Sequence, residues 1–253
     1  MFADHAGVKR LSIVDIRFSI PERESSIMSD HRFFHLWWLA LAAALIPLVT
    51  IHVTFVVSVL EGHVELCIPY WDSCTSISRT GRHGTSYFIF KGTMLPAALL
   101  GILFWWLNGR WLRQLGVHSS GVAWISWLGM VASLSLAAYT LALGHAGDGF
   151  NLIRRVGVVL YFSLTFICEL LVSAGLRSHP LWKHTGMRLL NLCQLTLAVG
   201  ILSVILNGVA PEFYSRKDDA FEWILAFLIN AHAIWLALLW RKNRFRVRLW
   251  ADS

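Results

Sequence analysis

Six apolar stretches, each near or above 20 residues, divide this chain. A helix of about 20 residues, at roughly 1.5 Å per residue, crosses the hydrocarbon core of a bilayer. Inside that core no water satisfies peptide N–H and C=O groups, so each stretch has to be helical. We place the helices at 34–60, 87–107, 122–143, 153–176, 186–208 and 221–240, with Pro47 expected to kink the first. A soluble protein made of buried helices is the competing reading. The chain is 56% hydrophobic and 15% charged, which leaves too few polar faces to cover a water-facing surface. Short connections favour antiparallel neighbours. The fold class is therefore an all-α integral membrane protein, one bundle of six transmembrane helices, with no second domain and no internal repeat.

Charge sets the expected orientation. Fifteen of the Lys and Arg residues fall on the side of the two ends of the chain and seven on the other. By the bias of basic residues towards the cytoplasm, both termini are cytoplasmic. The net charge of +7 is thus a topology signal. No zinc-finger spacing or RNA-binding motif accompanies it, so no nucleic-acid partner is expected. The domains are a polar N-terminal tail, 1–33, a transmembrane domain, 34–240, with an outer loop at 61–86, and a basic tail, 241–253. The first 30 residues lack the charged, apolar and small-residue order of a cleaved leader, and Met28 offers a second possible start. The outer loop carries Cys67 and Cys74, which can pair in an oxidising compartment. Cys168 and Cys193 lie in apolar spans, where a thiol usually packs as a small core group. No Asn-x-Ser/Thr site occurs, which leans towards a bacterial inner membrane.

The segment from Cys74 to Gly92, CTSISRTGRHGTSYFIFKG, is polar, glycine-bearing and without helical or strand period. Its Ile77-Ser78-Arg79-Thr80-Gly81, followed by Ile89-Phe90, resembles the first outer loop of the Frag/DRAM/Sfk family of six-helix membrane proteins. That family includes relatives of the N-terminal part of the Cwh-type GPI-lipid remodelling proteins. Cys67-Ile68-Pro69-Tyr70, Arg154–Phe162 and Glu222-Trp223 resemble further family elements, so the likeness spans roughly residues 34–240. Arg79 stands where the family usually has Asp, Arg154 about where many members have His, and Gly84-Thr85 replace prolines. The resemblance implies handling of membrane lipid, without one defined reaction.

Ionisable groups within a membrane face the bundle interior. Glu169 and Gln194 fall at similar depth on neighbouring antiparallel helices, roughly 10–12 Å from one end, and are expected to be hydrogen-bonded. Helix–helix adhesion and a proton or ligand site are both open for this pair. In the outer half, His52, Lys91, Arg154, Arg155 and Asn230 are expected to form a cationic cup beneath the 74–92 segment. Ser78 and Thr80 would offer hydroxyls to a phospholipid headgroup. A plain cap over the bundle is the alternative.

A catalytic site is not assigned: no Gly-x-Ser-x-Gly elbow occurs, and no metal or cofactor is expected. The balance is against an enzyme. Lipid binding or organisation leads, a lipid-remodelling hydrolase or acyltransferase follows, and a small-solute transporter comes third. The basic RKNRFRVRLW tail, with Phe245 and Trp250 among its cations, would attract anionic lipid at about 1 kcal/mol per basic residue.

Overall fold

The computed structural model describes residues 16–19, 33–117 and 120–249. Six long helices form the body: α1 (Trp37–Leu60), α4 (Gly84–Gln114), α5 (Ser120–Ala142), α6 (Asp148–Ser178), α7 (Lys183–Val209) and α9 (Asp218–Lys242). Each is long and apolar enough to cross a membrane. Single-turn helices α2 (Pro69–Asp72) and α3 (Ile77–Thr80) lie in the first connection, and α8 (Pro211–Tyr214) in the last. A 3-10 turn at Pro180–Trp182 and strands β1 (Ile16–Ser19), β2 (Phe33–His35) and β3 (Arg246–Leu249) complete the described elements.

The helices pack in a ring that follows chain order. α1 lies against α4 and α9, α4 against α5, α5 against α6, α6 against α7, and α7 against α9. Short connections enforce this, because an antiparallel neighbour is all that a few residues can reach. α4 and α6 run past the predicted ends, to Gln114 and from Asp148. Apolar character marks the part of a helix that meets lipid, while backbone hydrogen bonding continues into the polar flanks.

Two apolar cores fill the ring. At the end bearing the termini, Trp111, Leu112, Leu176, Leu189, Leu236, Trp240 and Phe245 interlock. At the opposite end, Ile51, Ile77, Phe90, Met94, Tyr139, Leu143 and Trp223 do so. Between them lie buried polar groups, Thr165, Glu169, Ser173, Asn230 and His232.

Three helix ends share one stop. After α1, Gly62 N–H bonds Val59 O and His63 N–H bonds Ser58 O; after α4, Gly116 and Val117 bond Arg113 O and Leu112 O in the same way. Gly62 and Gly116 adopt φ +74° and +79°, as this stop requires. After α9 the left-handed position falls to Arg244, at φ +50°. Phe245 N–H returns to Trp240 O, and the Phe245 ring packs on the Trp240 indole, 5.0 Å between centroids. Phe245 is fully buried, which offsets the cost of a non-glycine residue there.

That turn leads part of the basic tail into regular structure. Residues 246–249 form the central strand of a three-stranded antiparallel sheet in the order β1–β3–β2, pairing Ile16 with Leu249 and His35 with Arg246. The helical class therefore carries a small sheet at the termini end, where both ends of the described chain meet. The expected N-terminal tail falls largely outside the described residues, as do 250–253 with Trp250.

Candidate functional site

The loop between α1 and α4 is built around the ISRTG segment. Ser76 caps α3, its Oγ accepting from Arg79 N–H at 3.3 Å. The Thr80 hydroxyl lies 2.8 Å from Ile77 O and 3.2 Å from Thr54 Oγ1 on α1. Ile77 points into the lower core, and Gly81 lies so close to Phe90 that a Cβ would meet its ring at 2.5 Å. The spacing from Gly81 to Phe90 is thus a packing requirement. The described structure contains the expected Cys67–Cys74 disulfide. Three bonds tie the loop to the start of α9: Lys217 Nζ to Trp71 O at 2.6 Å, Ala220 N–H to Ser73 Oγ at 3.1 Å, and Trp223 Nε1–H to Thr75 O at 2.8 Å. Trp223 is fully buried among His52, Phe55 and Tyr70.

Beneath α3 lies a cavity lined by Ile51, Ile77, Phe90, Met94, Tyr139, Val158, Phe162, Glu222 and Asn230. It is mostly apolar and measures about 40 Å³. One water needs roughly 10–15 Å³ on this measure, so a headgroup does not fit. A larger opening lies beside the loop. Glu61, Arg82, His83, Thr85, Tyr87 and Phe88, with Gly84 and Gly144, line a cleft of about 530 Å³ at the non-terminal end of the bundle. Small-molecule sites run from about 300 to 1,000 Å³.

The cleft has a defined polar edge. Glu61, just after α1, accepts from Thr85 N–H at 3.0 and 3.1 Å and so caps the start of α4. These bonds hold its carboxyl below the usual value. Gly84 has φ +57°, and any Cβ there would collide with Glu61 and His63, so only glycine serves. Arg82 donates from Nη2 to Ser78 Oγ at 3.3 Å, while its buried Nε has no partner. Arg82 itself lines the cleft. Sequence reading counted it only as a loop charge.

The expected cationic cup is redistributed. Lys91 and Arg154 do come together, around His145. Lys91 Nζ donates to Tyr87 Oη at 2.7 Å and Leu141 O at 3.1 Å, and lies 3.4 Å from His145 Nε2. Arg154 donates to Ala142 O at 3.1 Å, to His145 O at 2.7 Å and to Asn151 Oδ1. Both cations satisfy carbonyls at the C-terminal end of α5, where the helix dipole is negative. Tyr87 links Lys91 to the cleft wall. Arg155 is exposed.

The remaining members stand elsewhere. His52 uses Nδ1 on Leu48 O at 2.7 Å and Nε2 on Tyr70 Oη at 2.9 Å. Asn230 donates to Ala226 O at 2.8 Å and lines the internal cavities. Thr80 is fully buried, and Ser78 positions Arg82. The expected Glu169–Gln194 pair is also corrected. Gln194 is exposed, because its neighbour Cys193 occupies the inward face of α7. Glu169 instead faces His232 of α9, with Oε1 3.8 Å from Nδ1.

Fold and composition together define an integral, multi-pass membrane protein with six spans. Compared with protein-family models, with curated proteins and with solved structures, the chain gives no match.

Proposed function

We propose that this protein belongs to the Frag/DRAM/Sfk type of membrane protein and binds membrane phospholipid, without chemistry, through the cleft beside its first outer loop. The observation that carries this reading is the headgroup-sized cleft, about 530 Å³, with the Arg82 guanidinium on its wall. A guanidinium suits a phosphate, since its planar fork matches two oxygens at once. The cleft also includes the exposed Phe88 ring, along which an acyl chain would run. With the charge bias, the cleft faces the outer leaflet, the termini are cytoplasmic and the membrane is a bacterial inner membrane. The ISRTG resemblance supports the family, and its physical role is to pin the cleft wall.

Native mass spectrometry of gently delipidated protein, with lipid extraction, tests the reading. Wild type should retain one phospholipid class. Arg82→Ala should lose it, Lys91→Ala should weaken it, and Gln194→Ala should keep it. The same unselective lipid in all four proteins refutes a headgroup site and leaves the loop as a cap. A lipid-remodelling enzyme is a second reading, favoured by Glu61, His63 and His83 at the cleft. Glu61 lies 3.6 Å from His63, whose ring stands 5.6 Å from that of His83. Turnover of a retained lipid, abolished in His83→Ala, would replace binding with catalysis.

A further inference from the structure

Away from the cleft, three helices bring Glu169, Cys193 and His232 together inside the membrane domain. One ligand atom from each lies within 4.8 Å of the others, and each residue is about 1% exposed. From this cluster we infer that α6, α7 and α9 form a transition-metal site of the zinc type, with Glu169, Cys193 and His232 as ligands.

Counting hydrogens gives the first argument. The Ser173 hydroxyl has one hydrogen, and it points to Glu169 O at 2.7 Å. Its 2.9 Å contact with His232 Nε2 must then use the ring N–H as donor. His232 Nδ1 is therefore a bare lone pair. It faces Glu169 Oε1 at 3.8 Å, and neither atom has a hydrogen-bond partner. Two acceptors facing each other in a buried site need a cation or a proton between them.

Distance separates those two. A shared proton draws N and O to about 2.7–2.9 Å. A tetrahedral metal with N and O bonds of about 2.0–2.2 Å sets those two ligand atoms roughly 3.3–3.5 Å apart. The observed 3.8 Å is nearer the second range, a few tenths of an ångström from closing on an ion. The Ser173 contact is the outer-sphere bond that fixes the tautomer of a metal-bound histidine.

Donor chemistry selects the ion. A thiolate, an imidazole and a carboxylate favour Zn²⁺ and similar borderline divalent metals over Mg²⁺ or Ca²⁺. One thiolate and one carboxylate cancel a divalent charge, so the filled site is neutral in a low-dielectric region. Binding displaces the Cys193 thiol proton. Thr165, one turn before Glu169, has a buried hydroxyl without a partner. It also lines a second cavity of about 40 Å³, with room for a water that would satisfy this hydroxyl. The site further explains how α7, the least buried span, is held: Cys193 is one of its few buried side chains.

The test uses Co²⁺ as the probe on full-length protein purified with a chelator. Wild type should bind one Co²⁺ per chain and show thiolate-to-cobalt charge transfer in the near ultraviolet, with visible bands of tetrahedral intensity. Cys193→Ser should lose the charge-transfer band, and His232→Gln, which removes a ligand, should no longer bind Co²⁺ stoichiometrically. Gln194→Ala, next to Cys193 but exposed, should behave as wild type. Monodisperse elution checks folding, and Zn²⁺ should raise the melting temperature of wild type but not of His232→Gln. No charge-transfer band in folded wild type, or an unchanged band in Cys193→Ser, overturns the site.

Discussion

Gly81→Ala tests whether the ISRTG segment is a packing device. The backbone at Gly81 has φ −99°, which alanine adopts without strain. On chain entropy alone the substitution would stabilise by about 0.4–1 kcal/mol. The structure reverses the sign. The new Cβ would sit 2.5, 2.6 and 2.9 Å from Phe90 Cδ2, Cγ and Cβ. Carbon atoms prefer about 3.5–4.0 Å, so the overlap is close to 1 Å. Phe90 is 1% exposed and wedged against Tyr139, so its ring cannot swing aside. Overpacking of this kind costs about 1–3 kcal/mol. We expect a net loss of about 1–2 kcal/mol, a five- to thirtyfold change in the folding equilibrium. Denaturant titration in mixed micelles, followed by tryptophan fluorescence, measures it. Phe90→Leu supplies the control, because a smaller side chain makes room for the methyl group. The double variant should be less destabilised than the sum of the singles by about 1 kcal/mol. A neutral Gly81→Ala, or strict additivity, would refute the contact.

Two further predictions concern the same loop. Replacing Cys67 and Cys74 by serine opens a closure of sequence separation 7, and should cost about 2–2.5 kcal/mol while speeding amide exchange over 68–80; unchanged stability and exchange would show that the bridge constrains nothing. Hydrogen bonds from Thr85 hold Glu61 below its ordinary 4.5, so its contribution is present above about pH 4.5 and lost as pH falls through the lowered value. Glu61→Gln should therefore flatten the acid side of the stability profile, and an unaltered slope would contradict the capping role.

The sequence alone determined the part of this protein that bilayer chemistry dictates. Apolar runs of spanning length have to be helices, short connections have to join antiparallel neighbours, and Cys67 lies near enough to Cys74 to pair. It did not reveal partners around the bundle axis. Glu169 and Gln194 match in depth, yet depth says nothing about rotation; α7 turns Cys193 inward and Gln194 outward, so Glu169 meets His232, 63 positions away. The cationic cup failed for a related reason. Lys91 and Arg154 reach the same place, but carbonyls at the end of α5 take up their donors, and Arg82 remains for the cleft. Pattern shows the charge of the basic tail, whereas burial of Phe245 against Trp240 turns the chain back into a sheet. Hydrophobicity is a property of each segment and can be read one residue at a time. A site is a convergence of side chains from different helices, and only packing fixes which faces meet.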